Sequence, residues 1–100
     1  MYEIETTVGY DRWFAKLRDR QAKANIDMRI RRLRRGNPGD VRFVGNGVLE
    51  IKIDIGPGYR VYYMRKKEFL IMLLAGGDKR TQGRDIRRAV ELAASIRSES

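Results

Sequence analysis

The sequence contains no cysteine and no histidine. Without cysteine there is no disulfide, no thiol nucleophile and no thiolate metal site. Without histidine there is no Ser-His-Asp triad, no imidazole ligand for a metal, and no side chain whose ordinary pKa lies near neutrality. Neither a metal nor a cofactor is expected. Long apolar runs are also missing. The longest, Phe69 to Ala75, is seven residues, against about 20 for a membrane-spanning helix. The opening Met1-Tyr2-Glu3-Ile4-Glu5 lacks the basic-then-apolar layout of a secretory signal, so the expected location is cytoplasmic. No linker, repeat or low-complexity tract divides the chain. At 100 residues and 42% hydrophobic content, it reads as one domain over residues 1–100, large enough to fold without covalent staples.

What the chain has in excess is positive charge. Lys and Arg number 22 against 13 Asp and Glu, a net charge of +9. Such a balance favours polyanionic partners: RNA, DNA or an acidic protein. The charge is unevenly spread. Residues 12–35 carry ten basic and two acidic groups, and residues 58–90 carry nine and three, while the segments around them are slightly acidic. Two basic segments must therefore coexist in one small fold.

Local patterning predicts the elements. Tyr2 to Thr6 reads as a short strand. Asp11 is the expected N-cap of a helix through Trp13, Phe14 and Leu17. Ala22, Ile26, Ile30 and Leu33 make one apolar stripe of a second helix over residues 21–35. Arg31, Arg32, Arg34 and Arg35 load its last turn, where the helix dipole favours cations. Gly36 suits the position after the cap, and Pro38 forbids continuation. These two segments are expected to form a basic helical hairpin.

Gly45-Asn46-Gly47 and Gly56-Pro57-Gly58 read as turns, since neither has a phosphate-loop pattern. Val41 to Val44 and Val48 to Ile55 flank the first, with Leu49, Ile51, Ile53 and Ile55 on one face of the second strand and Glu50, Lys52 and Asp54 on the other. Tyr59 to Arg65 forms the next strand, Lys66-Lys67-Glu68 a tight turn, and Phe69 to Ala75 a central strand buried on both faces. Gly76-Gly77-Asp78-Lys79 then leaves the sheet. Thr81 caps a last helix to about Ile96, with Ile86, Ala89, Val90, Ala93 and Ile96 as its stripe. The expected class is α+β: a small twisted antiparallel sheet with an N-terminal helical hairpin and a C-terminal helix, the helices against one face.

Alternation sets Lys52 on the polar side of its strand, across from Arg60, with Lys79 and Arg80 just past the third strand. Four cations from three segments are thus expected at one end of the sheet. Arg60 is expected on a solvated face, where truncation leaves the core intact. Tyr62 offers a ring for stacking on bases. Glu50 and Asp54 stand apart among cations and give no carboxylate pair.

The segments Leu49-Glu50-Ile51-Lys52-Ile53-Asp54, Gly56-Pro57-Gly58-Tyr59-Arg60-Val61-Tyr62-Tyr63 and Gly76-Gly77-Asp78-Lys79-Arg80-Thr81-Gln82, with Asp85-Ile86 and the helix end Arg31-Arg32-Leu33-Arg34-Arg35-Gly36-Asn37-Pro38-Gly39-Asp40, resemble the RelE/ParE toxins of type II toxin–antitoxin modules, in their HigB-like addiction-module-killer branch. The resemblance covers nearly the whole chain. It implies a microbial RNase-like RelE fold, metal-independent cleavage of mRNA on the ribosome, and neutralisation by a cognate antitoxin. Carried over residue by residue, it makes Lys52, Arg60, Lys79 and Arg80 the catalytic residues, with Lys52 as base and Arg60 as clamp on the phosphate. Beside these, Arg31, Arg32, Arg34, Arg35, Tyr62, Gln82 and Arg84 are expected to bind RNA. A second strand Lys of the RelE pattern is replaced by Glu50. Gln82, Arg84 and Asp85 occupy the region of a Tyr in that pattern. These departures keep open the alternative of a ParE-like DNA gyrase poison without nuclease activity.

If the basic segments contact phosphates, binding to single-stranded RNA falls steeply with salt, each contact adding about 0.7 to the log–log slope. Filter binding between low and moderate salt measures this. A flat response would reduce the charge to a solubility feature.

Overall fold

The computed structural model describes residues 1–99. In chain order the elements are β1 (Glu3–Thr6), α1 (Val8–Lys16), α2 (Arg20–Arg34), β2 (Val41–Gly45), β3 (Val48–Ile53), β4 (Tyr59–Lys67), β5 (Leu70–Asp78) and α3 (Gln82–Glu99), with a short 3-10 turn at Lys79–Thr81 before α3. The class is α+β, as the patterning implies.

The five strands form one sheet in the order β1-β5-β4-β3-β2. From β2 to β5 neighbours are antiparallel, but β1 lies parallel to β5, pairing Glu3 with Leu70 through Thr6 with Leu73. The sheet is therefore mixed, not antiparallel as expected. Alternation in a four-residue strand carries no information on which distant edge it joins or in which direction. The hairpin between β4 and β5 turns at Glu68-Phe69, so β4 keeps Lys66 and Lys67, and Phe69 is exposed rather than part of the buried strand. β5 lies between β1 and β4 with its apolar run buried, as expected, and it continues through Gly76, Gly77 and Asp78.

Both faces of the sheet are covered, which corrects the one-sided expectation. On one face Ile51, Ile53, Val61, Tyr63, Ile71 and Leu73 pack with Tyr10 of α1 and with Ala22, Ile26 and Leu33 of α2. On the other, Val48, Tyr62, Met64, Met72 and Leu74 pack with Ala89 and Ala93 of α3, flanked by Ile86, Val90 and Ile96. The expected stripes of α2 and α3 are thus the buried ones. The strands read as half-polar only because a few polar side chains on the α3 side are buried.

The expected hairpin of α1 and α2 is replaced by separate docking: α1 packs its backbone closely on β5. Its cap is Thr7, not Asp11. The Thr7 hydroxyl accepts from the Tyr10 amide and donates to the Leu74 carbonyl, so one side chain both starts the helix and pins it to β5. Asp11 falls in the first turn instead, where the dipole still favours it. α2 ends as expected: the Gly36 and Asn37 amides bond back to Leu33 and Arg32 around Gly36 at φ +88°, the usual glycine-terminated C-cap. Before α3, Asp78 and Thr81 form a capping box, with Asp78 rather than Thr81 as the cap.

Two glycines near the end of β5 set how closely both helical layers approach. A Cβ on Gly76 would overlap the Trp13 ring on one side of the sheet, and a Cβ on Gly77 would overlap the Asp85 carboxylate on the other. Gly76→Ala is therefore expected to destabilise by about 1–3 kcal/mol through overpacking. In a domain of this size each kcal/mol lowers Tm by roughly 4–8 °C, which thermal denaturation will register. An unchanged Tm would show that Trp13 moves aside freely.

Candidate functional site

The register builds two rows of side chains on the α3 face. Arg42, Glu50, Tyr62 and Ala75 lie opposite one another across β2, β3, β4 and β5. One step along the strands, Lys52 pairs with Arg60 and Arg60 with Gly77. The cross-strand meeting of Lys52 and Arg60 inferred from alternation is thus present. Where Gly77 has no side chain, Asp85 of α3 enters.

At this end of the sheet lies an open cleft of about 370 Å³, lined by Asp40, Val41, Arg42, Glu50, Lys52, Arg60 and Gln82. Glu50 sits at its base, 4% exposed. Its Oε1 lies 3.3 Å from Arg42 Nε and 3.8 Å from Arg60 Nε, and its Oε2 accepts from Gln82 Nε2 at 2.9 Å. Gln82, read as an RNA contact, is therefore committed to holding a carboxylate. Arg60, at 6% exposure, is equally buried. Its Nη1 donates to the Gly58 carbonyl at 2.8 Å, while its buried Nε has no hydrogen bond. The expectation of a solvated Arg60 fails because α3 covers the face that alternation marks as polar. Lys52 stays exposed at the mouth.

Tyr62 lies fully buried beneath α3, so its ring is closed to base stacking. Desolvation holds its hydroxyl well above the usual tyrosine pKa, and the neighbouring Glu50 charge adds to the effect. The hydroxyl lies against the Glu50 carboxylate and remains neutral in the physiological range.

Lys79 and Arg80 do not line the cleft. Arg80 is exposed and turned onto the cap of the 3-10 turn, its Nη2 3.1 Å from Asp78 Oδ2 and its amide donating to Asp78 Oδ1. The hydrogen bond from the Arg80 side chain holds the Asp78 carboxyl below the usual carboxylate range. Lys79 is exposed, its Cβ near Gly58. Of the four cations expected to converge, Lys52 and Arg60 meet, and Arg42 joins them in place of Lys79 and Arg80. Arg31, Arg32, Arg34 and Arg35 are all exposed at the end of α2, and three of them line a shallow depression with Met28. Arg84 is exposed at the start of α3, away from the cleft.

Sequence reasoning passed over Glu50, Arg42 and Asp40. The signal for Glu50 was partial: it shares a face with Lys52, but Arg42 comes opposite it only because the β2–β3 ladder shifts register between Phe43 and Gly45. A second ordering contact was not legible. Arg29 of α2 donates from Nη1 to the Lys52 carbonyl at 2.9 Å and from Nη2 to the Asp40 carbonyl at 3.3 Å, tying the cleft wall to the end of β3.

The cleft therefore presents three cations around one buried carboxylate. It can bind an anion at its mouth, with guanidiniums held in place beforehand, and Glu50 can accept a proton or hydrogen bond from a neighbouring hydroxyl. Because Glu50 and Arg60 are both desolvated, Glu50→Ala should cost about 3–5 kcal/mol, leaving a buried guanidinium uncompensated. Glu50→Gln, which keeps the shape, should cost less. Urea denaturation of the two variants separates them, and equal stabilities would show that Arg60 finds water or another partner.

A family model for phage-derived proteins of the Gp49-like type (DUF891) matches residues 12–97. The stretch takes in α2, all the cleft residues and nearly all of α3. An uncharacterized protein of Haemophilus influenzae is 47% identical over 94 residues, covering 94% of this chain and 95% of that protein. On the match of the family model over most of its length, the chain belongs to the phage-derived Gp49-like (DUF891) family.

Proposed function

We propose that this protein is the toxin of a type II toxin–antitoxin module and that its cleft cleaves mRNA on the ribosome. The Gp49-like family is associated with toxin–antitoxin systems and related to RelE-type toxins, which supports both the toxin role and a cognate antitoxin as partner. The observation that carries the reading is the cleft, in which Lys52 and Arg60 lie side by side above the buried Glu50.

In this reading Arg60 and Lys52 hold the scissile phosphate. The Glu50 carboxylate, rather than Lys52, takes the proton of the 2′-hydroxyl. The 2′-oxygen bonds to phosphorus and the bond from phosphorus to the 5′-oxygen breaks, leaving a 2′,3′-cyclic phosphate. Lys52, whose ammonium faces solvent, gives the departing 5′-oxygen its proton. General acid–base assistance of this kind contributes about 10²–10⁴-fold, and charge stabilisation by Arg60 a further share. The exposed cations at the end of α2 supply sequence-independent contacts to ribosomal phosphate.

The buried carboxylate also favours a second reading. A negative charge at the floor of the cleft opposes a polyanion, and no histidine is available to shuttle protons. A DNA gyrase poison would need neither, and the Glu50 network would then be structural.

Induction of the chain in cells, with mapping of mRNA 5′ ends, separates the two. The nuclease reading expects new ends inside translated frames. It also expects Arg60→Lys, with wild-type Tm, to cleave roughly a hundred- to a thousand-fold less, since a lysine cannot reproduce the planar clamp. Intact mRNA with DNA-damage signalling would replace it with the gyrase reading. Normal growth at high soluble expression without antitoxin would remove both.

A further inference from the structure

A second cationic groove lies on the opposite edge of the sheet from β2. β1 covers the edge of β5 only as far as Leu73, while β5 runs on to Asp78. Among the described residues no strand pairs with β5 beyond that point on this side. Leu74 is the bulge residue of the β4–β5 ladder, since Tyr62 pairs with Ala75 and Tyr63 with Leu73. Its carbonyl is turned to the Thr7 hydroxyl, and with Thr7 the chain departs into α1. The result is a groove of about 410 Å³ floored by Leu74, which is fully buried, Ala75, which is 8% exposed, and the more accessible Gly76. α1 walls it on one side with Arg12, Trp13 and Lys16, and α3 on the other with Arg84 and Arg88. All four cations are exposed. The one carboxylate in the wall, Asp85, is buried, accepts from the Thr81 hydroxyl and lies 3.9 Å from Arg84.

We propose that this groove receives an extended acidic peptide segment as an added strand on β5. An open strand edge presents alternating N–H and C=O groups, and another extended peptide answers both, whereas the phosphates of a nucleic acid answer only the donors. Successive side chains of an added strand point to opposite faces of the sheet. One set therefore meets Arg12 and Lys16, and the other meets Arg84 and Arg88, so acidic residues are matched on both sides. No side chain from Gly76 shields the floor. The groove is separate from the Lys52–Arg60 cleft, and the inference does not rest on the toxin reading; an antitoxin is one protein that could carry such a segment.

Trp13 is the only tryptophan of the chain and lines the groove, so its emission reports occupancy directly. The probe is a blocked ten-residue peptide of glutamate and valine, titrated into the full-length protein. Two further peptides carry N-methyl groups on one or the other alternate set of backbone nitrogens. Strand addition predicts a saturable change in Trp13 emission. It predicts that one methylated set binds about tenfold more weakly or worse, while the other binds nearly as well as the parent, because alternate amides face β5. It also predicts loss of affinity in Arg12→Glu/Arg88→Glu, with Tm confirming the fold. Three results would overturn the proposal: no change in emission, equal effects of the two methylated sets, or tighter saturation of the same signal by a single-stranded oligouridylate. The last would assign the groove to RNA. None of these readouts depends on growth inhibition or mRNA cleavage, so the two proposals fail separately.

Discussion

Glu50 is buried in the α3 face of the sheet, and the arrangement of that end of the molecule follows from neutralising it. A carboxylate taken out of water must be paired and hydrogen-bonded or it does not stay charged. Here β2 contributes Arg42, β4 contributes Arg60, and the first residue of α3 contributes Gln82. Three elements thereby converge on one residue of a fourth. The start of α3 cannot shift without breaking the Gln82 contact, and the Asp78–Thr81 capping box fixes that start from the other direction. Such a pair is weak evidence for net stability. Its stronger consequence is positional: the Arg60 guanidinium is ordered before any ligand arrives.

The same end of β5 solves a packing problem with two glycines. The sheet is covered on both faces, so α1 and α3 approach one strand from opposite sides. Trp13 occupies the space above Gly76 and Asp85 the space above Gly77. Together with the bulge at Leu74, this lets a bulky ring and a carboxylate reach the strand backbone directly. The carboxylate in turn stands close enough to help keep the Tyr62 hydroxyl neutral. β1 is short, so the backbone edge beyond Leu73 is left between two basic helices rather than beneath a sixth strand.

Charge separates into three regions. The α2 end is a solvated cluster of arginines, the cleft holds cations around a buried anion, and the α1–α3 groove sets cations along a strand edge. Composition alone, at +9, treats these as one basic surface. In physical terms they differ. Exposed cations act through screened, long-range attraction, whereas Arg60 acts through fixed geometry in a site of low solvent access.

Much of the fold was legible because its local rules are short-ranged. The 3.6-residue stripes of α2 and α3, the glycine-terminated end of α2, the meander, and the cross-strand meeting of Lys52 with Arg60 all follow from residues close in sequence or joined by one turn. The direction of β1, the separate docking of α1 and the cover on the second face depend on contacts across most of the chain, and no local pattern encodes them. That difference decided the site. Alternation correctly grouped Glu50, Lys52, Arg60 and Tyr62 on one side of the sheet, and their polarity suggested water above them. Tertiary packing laid α3 there instead. It turned Glu50 from an isolated acid into the centre of a network, Arg60 from a surface cation into a buried one, and Tyr62 from a stacking platform into core, because burial is a property of what covers a face and not of the residues on it.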